Sequence, residues 1–151
     1  MSASASFVKS LLAQCCLGGI CEWVVCPGAR NMALLQVLAA AEDLVKWTHF
    51  DERSAAFFAL GRIQDMGLPV AVVTTSGTAA AELLPAVVEA YYQRRPLLLL
   101  TADRPADYRG SAAPQAIEQA DLFGIYAPTI DLETPDSLPE DILEDWDYAS
   151  P

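Results

Sequence analysis

Pro69-Val70-Ala71-Val72-Val73-Thr74-Thr75-Ser76-Gly77-Thr78-Ala79-Ala80 runs from an unbroken apolar stretch through a small polar turn into alanine. An apolar run without alternation, closed by turn residues, reads as a strand buried on both faces, and such strands belong to parallel sheets covered by helices. The turn and the alanines predict that a helix follows at once. That helix is expected over Gly77 to Arg95, with Leu83, Leu84, Val87, Val88, Tyr91 and Tyr92 inward, Glu82, Glu89 and Gln93 outward, and a kink at Pro85. Leu97 to Thr101 then repeats the pattern as a second fully buried strand.

Working outward, the same alternation extends in both directions. Phe7, Val8, Leu11, Leu12 and Cys15 fall at helical spacing behind Ser4 and Ser6, and Gly18-Gly19 predicts the stop. Trp23 to Cys26 reads as a short strand closed by Pro27-Gly28. Asn31 is the expected N-cap of a helix with Leu34, Leu35, Leu38 and Ala41 on one face. Lys46 to Phe50 is a strand candidate with His49 read as a core histidine, and Arg53 to about Met66 a helix on Ala56, Phe57, Leu60 and Ile63. Gly61 is expected to allow a close neighbour there, and Thr129 to Leu132 reads as a weak final strand. Strand and helix in regular alternation predict an α/β fold, an open, mostly parallel sheet with helices on both faces. The domain is expected over residues 1–132, with 133–151 an acidic linker or tail, because no Lys or Arg follows Arg109 while acidic residues continue to Asp147.

Composition narrows the function classes. The 151 residues suffice for one core, and 53% hydrophobic against 19% charged residues describes a packed globular chain. A formal charge of -11 argues against nucleic acid and anionic membrane surfaces as partners. Cys15, Cys16, Cys21 and Cys26 lack the C-x-x-C spacing of a zinc or redox site and read as small buried residues in a reducing, cytoplasmic setting. The apolar Leu11 to Ile20 lacks the cleavage site of a signal segment, and no stretch has the length of a membrane span. Phosphate-loop, dinucleotide, nucleophile-elbow and zinc-protease motifs are absent, and no metal site is expected in this chain.

Ligands of open parallel sheets bind beyond the carboxyl ends of the strands. Four predicted strands end in polar turns: Pro27-Gly28-Ala29-Arg30, Asp51-Glu52-Arg53, Ser76-Gly77-Thr78 and Asp103-Arg104-Pro105. Each has a structural explanation on its own: a solvated Arg30, an N-cap and acidic first turn at Asp51-Glu52, a tight turn at Gly77, an ion pair between Asp103 and Arg104. Each also has a functional one, such as a ligand approaching Gly77 while helix amides face it, or Arg30 as a fork for a carboxylate. Convergence of all four on one sheet edge points to a site.

These turns, with Gln115-Ala116-Ile117-Glu118-Gln119, carry a resemblance running from about Phe7 to Pro128. The chain resembles the N-terminal pyrimidine-binding domain of thiamine diphosphate enzymes, and most narrowly the MenD family of menaquinone-pathway synthases. That family is a transferase class joining isochorismate to the unit left when 2-oxoglutarate loses carbon dioxide, with thiamine diphosphate and magnesium as cofactors. The resemblance implies that Glu52 is the catalytic and cofactor-binding carboxylate at N1' of the aminopyrimidine. It would share a proton there from surroundings supplied by Phe50, Ala55, Ala56 and Phe57. It implies cofactor contacts from Ser76, Gly77 and Thr78, substrate contacts from Arg30 and Gln115, and a structural or site-lining Arg104. Cys26, Ala29 and Asn31 stand where the family has serines, and Pro114 where it has an asparagine.

The family's diphosphate and magnesium are held by a second domain, carrying a Gly-Asp-Gly motif that this chain lacks. The resemblance therefore implies a half-site, inactive alone, with no cofactor expected bound to this chain by itself. Its partner would be the diphosphate-binding domain of the same or a second subunit, in a dimer or other homo-oligomer acting on small-molecule substrates. The other expectation is a stand-alone, non-catalytic binding or assembly protein on the same fold.

Overall fold

Strands Glu22–Val25 (β1), Val45–Thr48 (β2), Val70–Thr74 (β3) and Leu97–Thr101 (β4) form one sheet in which every pairing is parallel and the order is β2-β1-β3-β4. The structure is a computed structural model that describes residues 3–132 and Leu143. The register sets Glu22 opposite both Val45 and Val70, and Val70 opposite Leu97, so the strands start and finish level. All four following turns consequently leave the same edge.

The crossovers are helices on two faces. Helices Ala3–Leu17 (α1) and Met32–Ala40 (α2) bury Val8, Leu11, Leu12, Cys15 and Leu38 on the face carrying Trp23, Val25, Ala71 and Val73. On the other face lie Glu52–Met66 (α3) and Leu84–Gln93 (α5), packed on Val24, Val70 and Val72, with the single turn Thr78–Ala81 (α4) leading from β3 into α5. Helix α3 presents Ala55, Ala56 and Ala59, each with no exposed surface, so its backbone approaches the sheet with little side chain between. Ile63 completes that seam, and its truncation to Ala would cost about 2–5 kcal/mol through lost transfer energy and a cavity.

Several sequence expectations are corrected. The helix expected over Gly77 to Arg95 is two: α4 is a single turn, and Pro85, which has no N–H to donate, sits in the first turn of α5, where none is needed. Tyr91 and Tyr92 point outward and stack edge-to-face on each other and around Tyr126. Strand β4 is half-buried, because it is the sheet edge and no strand follows it among the described residues. Thr129 to Leu132 forms no strand; with Pro128 and Leu143, Ile130 and Leu132 line an apolar groove against Leu98, Leu99 and Leu100. Space around Gly61 is open, so it serves no close approach. Cys16 and Cys21 are exposed and only Cys15 and Cys26 buried, since the turn at Gly18-Gly19 sets Cys15 and Ile20 inward. The stretch 133–151, apart from Leu143, lies outside the described residues.

Candidate functional site

The chain leaves β1 for β2 on one side and returns to β3 on the other, so the order reverses between β1 and β3. A crevice opens at such a switch point, between the turns that follow the two strands. Here the turns touch: a Cβ on Gly28 would lie 2.5 Å from Cβ of Thr75. The turn after β1 is wound around Asn31, whose Nδ2 donates to the Cys26 carbonyl and whose Oδ1 accepts from the Gly28 amide, both at 2.9 Å. Asn31 occupies the N-cap position of α2 without capping it, because its side chain is spent on that turn. Arg30 is thereby left exposed at the rim, without an ion-pair partner among the described residues.

Asp51 and Glu52 divide the roles that a helix start offers. Asp51 caps α3, its Oδ1 accepting from the Ser54 amide at 2.7 Å, and the hydrogen bonds from Ser54 hold its carboxyl below the usual carboxylate range. Glu52, the first residue of the helix, is half-buried and has no hydrogen-bond partner among the described residues. It lies near the Cys26 thiol, which burial first, and then the Glu52 and Asp51 carboxylates, push up to about 12. Buried Ala55 and Ala56 form the apolar floor beside it. Phe50 contributes nothing to that floor, being 98% exposed, and Phe57 faces outward as well. Both point away because the helix turns its alanines, not its phenylalanines, to the sheet.

The turn after β3 is covered. Gly77 has φ 76° and ψ -133°, and a Cβ there would stand 2.6 Å from the Gln115 carbonyl oxygen. What lies against Gly77 on that side is the chain itself, at Gln115. Ser76 Oγ donates to the Gln115 carbonyl at 3.0 Å, and the Gly77 amide donates to Oε1 of Gln119 at 2.6 Å. Thr78 is exposed beside them, and so is Gln115. Gln119 belonged to a recognised motif, but nothing in its spacing gave it a role; only the fold brings it to Gly77.

After β4, Asp103 does not pair with Arg104. It accepts from the Arg104 backbone amide at 2.7 Å and lies 3.6 Å from Arg109, which also meets Asp131 at 2.8 Å. Arg104 instead donates to the Pro114 carbonyl and lies over the Tyr108 ring. His49 lies past the end of β2, half-buried against Phe58, and not within the core. At the opposite sheet edge sits a cluster that sequence reasoning missed. Glu22, 5% exposed, accepts from Arg62 through both oxygens at 2.8 and 2.9 Å and from Trp47 Nε1 at 3.1 Å. Hydrogen bonding from Arg62 holds the Glu22 carboxyl below its ordinary range against the opposing effect of burial. These groups are separated by tens of residues, so no local pattern announces them.

Among the described residues no group of three or more His, Cys, Asp and Glu side chains is placed to hold a metal, and no helix is long and apolar enough to cross a membrane. Comparison with known proteins gives one consistent picture. The chain is 95% identical over its whole length to a 2-succinyl-5-enolpyruvyl-6-hydroxy-3-cyclohexene-1-carboxylate synthase of Akkermansia muciniphila, of which it spans 28%. It is 51% identical over 120 residues, 79% of the chain, to the synthase of the same name from Bdellovibrio bacteriovorus, covering 23% of it. The fold superposes with a TM-score of 0.68 on a thiamine diphosphate-dependent 4-hydroxybenzoylformate decarboxylase from Rhodococcus jostii. That match covers 83% of this chain and 23% of the other, at 14% identity, which shows a shared fold. Residues 7–122 match the family described as thiamine pyrophosphate enzyme, N-terminal TPP binding domain, and the chain belongs to that family.

Proposed function

We propose that this chain is the pyrimidine-side half of the active site of a 2-succinyl-5-enolpyruvyl-6-hydroxy-3-cyclohexene-1-carboxylate synthase, a menaquinone-pathway transferase working in the cytoplasm. The observation that carries the proposal is Glu52: a half-buried carboxylate without a partner among the described residues, at the head of α3 and beside a buried thiol. Identity of 95% to a synthase of that name supports the choice of reaction.

The residues fit an aminopyrimidine. Glu52 offers the ring nitrogen a half-buried acceptor without a hydrogen-bond partner among the described residues, beside the buried Cys26 thiol and the apolar Ala55 and Ala56. Ser76 and Gly77, their donors already satisfied by Gln115 and Gln119, act as a shaped wall, and exposed Thr78 borders the ring. Arg30 at the rim binds a substrate carboxylate through its planar fork, and Gln115 orients the ring substrate. Thiamine diphosphate, when bound, supplies the electron sink that lets 2-oxoglutarate lose carbon dioxide and the remainder join isochorismate. Magnesium and the diphosphate are assigned to a second domain, from the same or a partner subunit, because a hard cation needs an oxygen cage.

The test uses this domain within a full-length synthase, supplied with 2-oxoglutarate, isochorismate, thiamine diphosphate and magnesium. Glu52→Gln, which keeps size and removes the shared proton, is expected to lower kcat by about 10²–10⁴-fold. Carboligation at the wild-type rate in that variant would overturn the assignment.

A further inference from the structure

We infer that Gln119 is a positioning residue for this site, a clamp that sets Gln115 at the sheet edge; the inference rests on the substrate role proposed for Gln115. Gln119 is 7% exposed, and its one side-chain amide reaches two strands. Oε1 accepts from the Gly77 amide at 2.6 Å, just past β3, and Nε2 donates to the Ala102 carbonyl at 3.0 Å, just past β4. Only a primary amide supplies an acceptor and a donor from adjacent atoms: a glutamate keeps the first contact and loses the second, and a leucine loses both.

The segment that the clamp holds is not at rest locally. Ala112, Gln115 and Asp121 have φ of 55°, 58° and 58°, values that side-chain-bearing residues adopt only where their surroundings impose them. Three attachments impose them: Ser76 Oγ to the Gln115 carbonyl, Arg104 to the Pro114 carbonyl, and the Gln119 amide. The first two end on carbonyls of the exposed residues Gln115 and Pro114, whereas the Gln119–Gly77 bond is buried at both ends, so Gln119 is the anchor that water competes with least. Its two bonds also fix β3 and β4 relative to each other at the level of the site. Gln115, four residues before it, is the residue that those constraints deliver to the rim.

The experiment measures steady-state kinetics for isochorismate with this domain in a full-length synthase. Gln119→Leu, which loses both hydrogen bonds, is expected to raise KM about tenfold, while kcat changes far less. Gln119→Glu, which preserves the acceptor for Gly77, is expected to raise it about threefold and serves as the test if the leucine variant does not fold. In a Gln115→Ala background neither change should raise KM further, because the clamp acts through Gln115. An equal rise in both backgrounds, or a fall in kcat alone, overturns the inference. If the wild-type enzyme is inert towards isochorismate, the proposed function fails instead, and hydrogen exchange at Gly77 decides the clamp: protection lost in Gln119→Leu supports it, and unchanged protection overturns it.

Discussion

Gly28 and Thr75 meet across the switch point of the sheet, where a Cβ on the glycine would stand 2.5 Å from the threonine Cβ. The two turns that open the crevice are thus packed on each other at a place where one extra carbon has no room. Gly28→Ala is expected to force the turns apart and destabilise this chain by about 1–3 kcal/mol in urea unfolding. Gly61→Ala is the contrasting control: the space is open and the site is inside a helix, so it is expected to stabilise by about 0.5–1 kcal/mol.

Gly77 is constrained twice, by backbone conformation and by the Gln115 carbonyl beneath it. Gly77→Ala is expected to cost about 3 kcal/mol or more and to loosen the 111–121 segment. Limited proteolysis would then cut that segment faster than in the wild type, and equal cutting rates would contradict the packing described.

The thiols should fall into two classes. Cys15 and Cys26 are buried and their pKa values are pushed up to about 12, so at pH 8 almost no thiolate is present to react. Cys16 and Cys21 are exposed, with Cys16 raised by partial burial and by its neighbour Cys21. Iodoacetamide at pH 8 is expected to add to Cys16 and Cys21 in the folded chain and to all four cysteines in denaturant, as read by peptide mass spectrometry.

Glu22 makes stability depend on acid. Its folded pKa lies below the ordinary value near 4.5, so the contribution of the Arg62 pair is fully present above that value and is lost as pH falls through the depressed folded value. Glu22→Gln is expected to lower the thermal midpoint at pH 7. The gap to the wild type should close in the acid range as wild-type Glu22 takes up its proton. A gap that stays constant down to the lowest pH would show that the charge of Glu22 is not what stabilises.

The sequence by itself determined the layer order and the placing of the four turns. Unbroken apolar runs at Val70–Thr74 and the alternation of strand with helix are local patterns, and a mostly parallel sheet whose polar turns share one edge follows from them, while the level register of the strands is seen only in the structure. It also marked Asp51 as a cap, since a carboxylate three residues before a helical amide needs nothing distant. Tertiary structure alone decided which polar groups meet. Asn31 turned back to Cys26 and Gly28 in place of capping α2, Asp103 chose Arg109 over adjacent Arg104, and Gln119 crossed 42 residues to Gly77. The reason is physical: helix and strand arise from periodicities a few residues long, whereas a buried hydrogen bond is settled by whichever donor and acceptor the finished packing leaves without water.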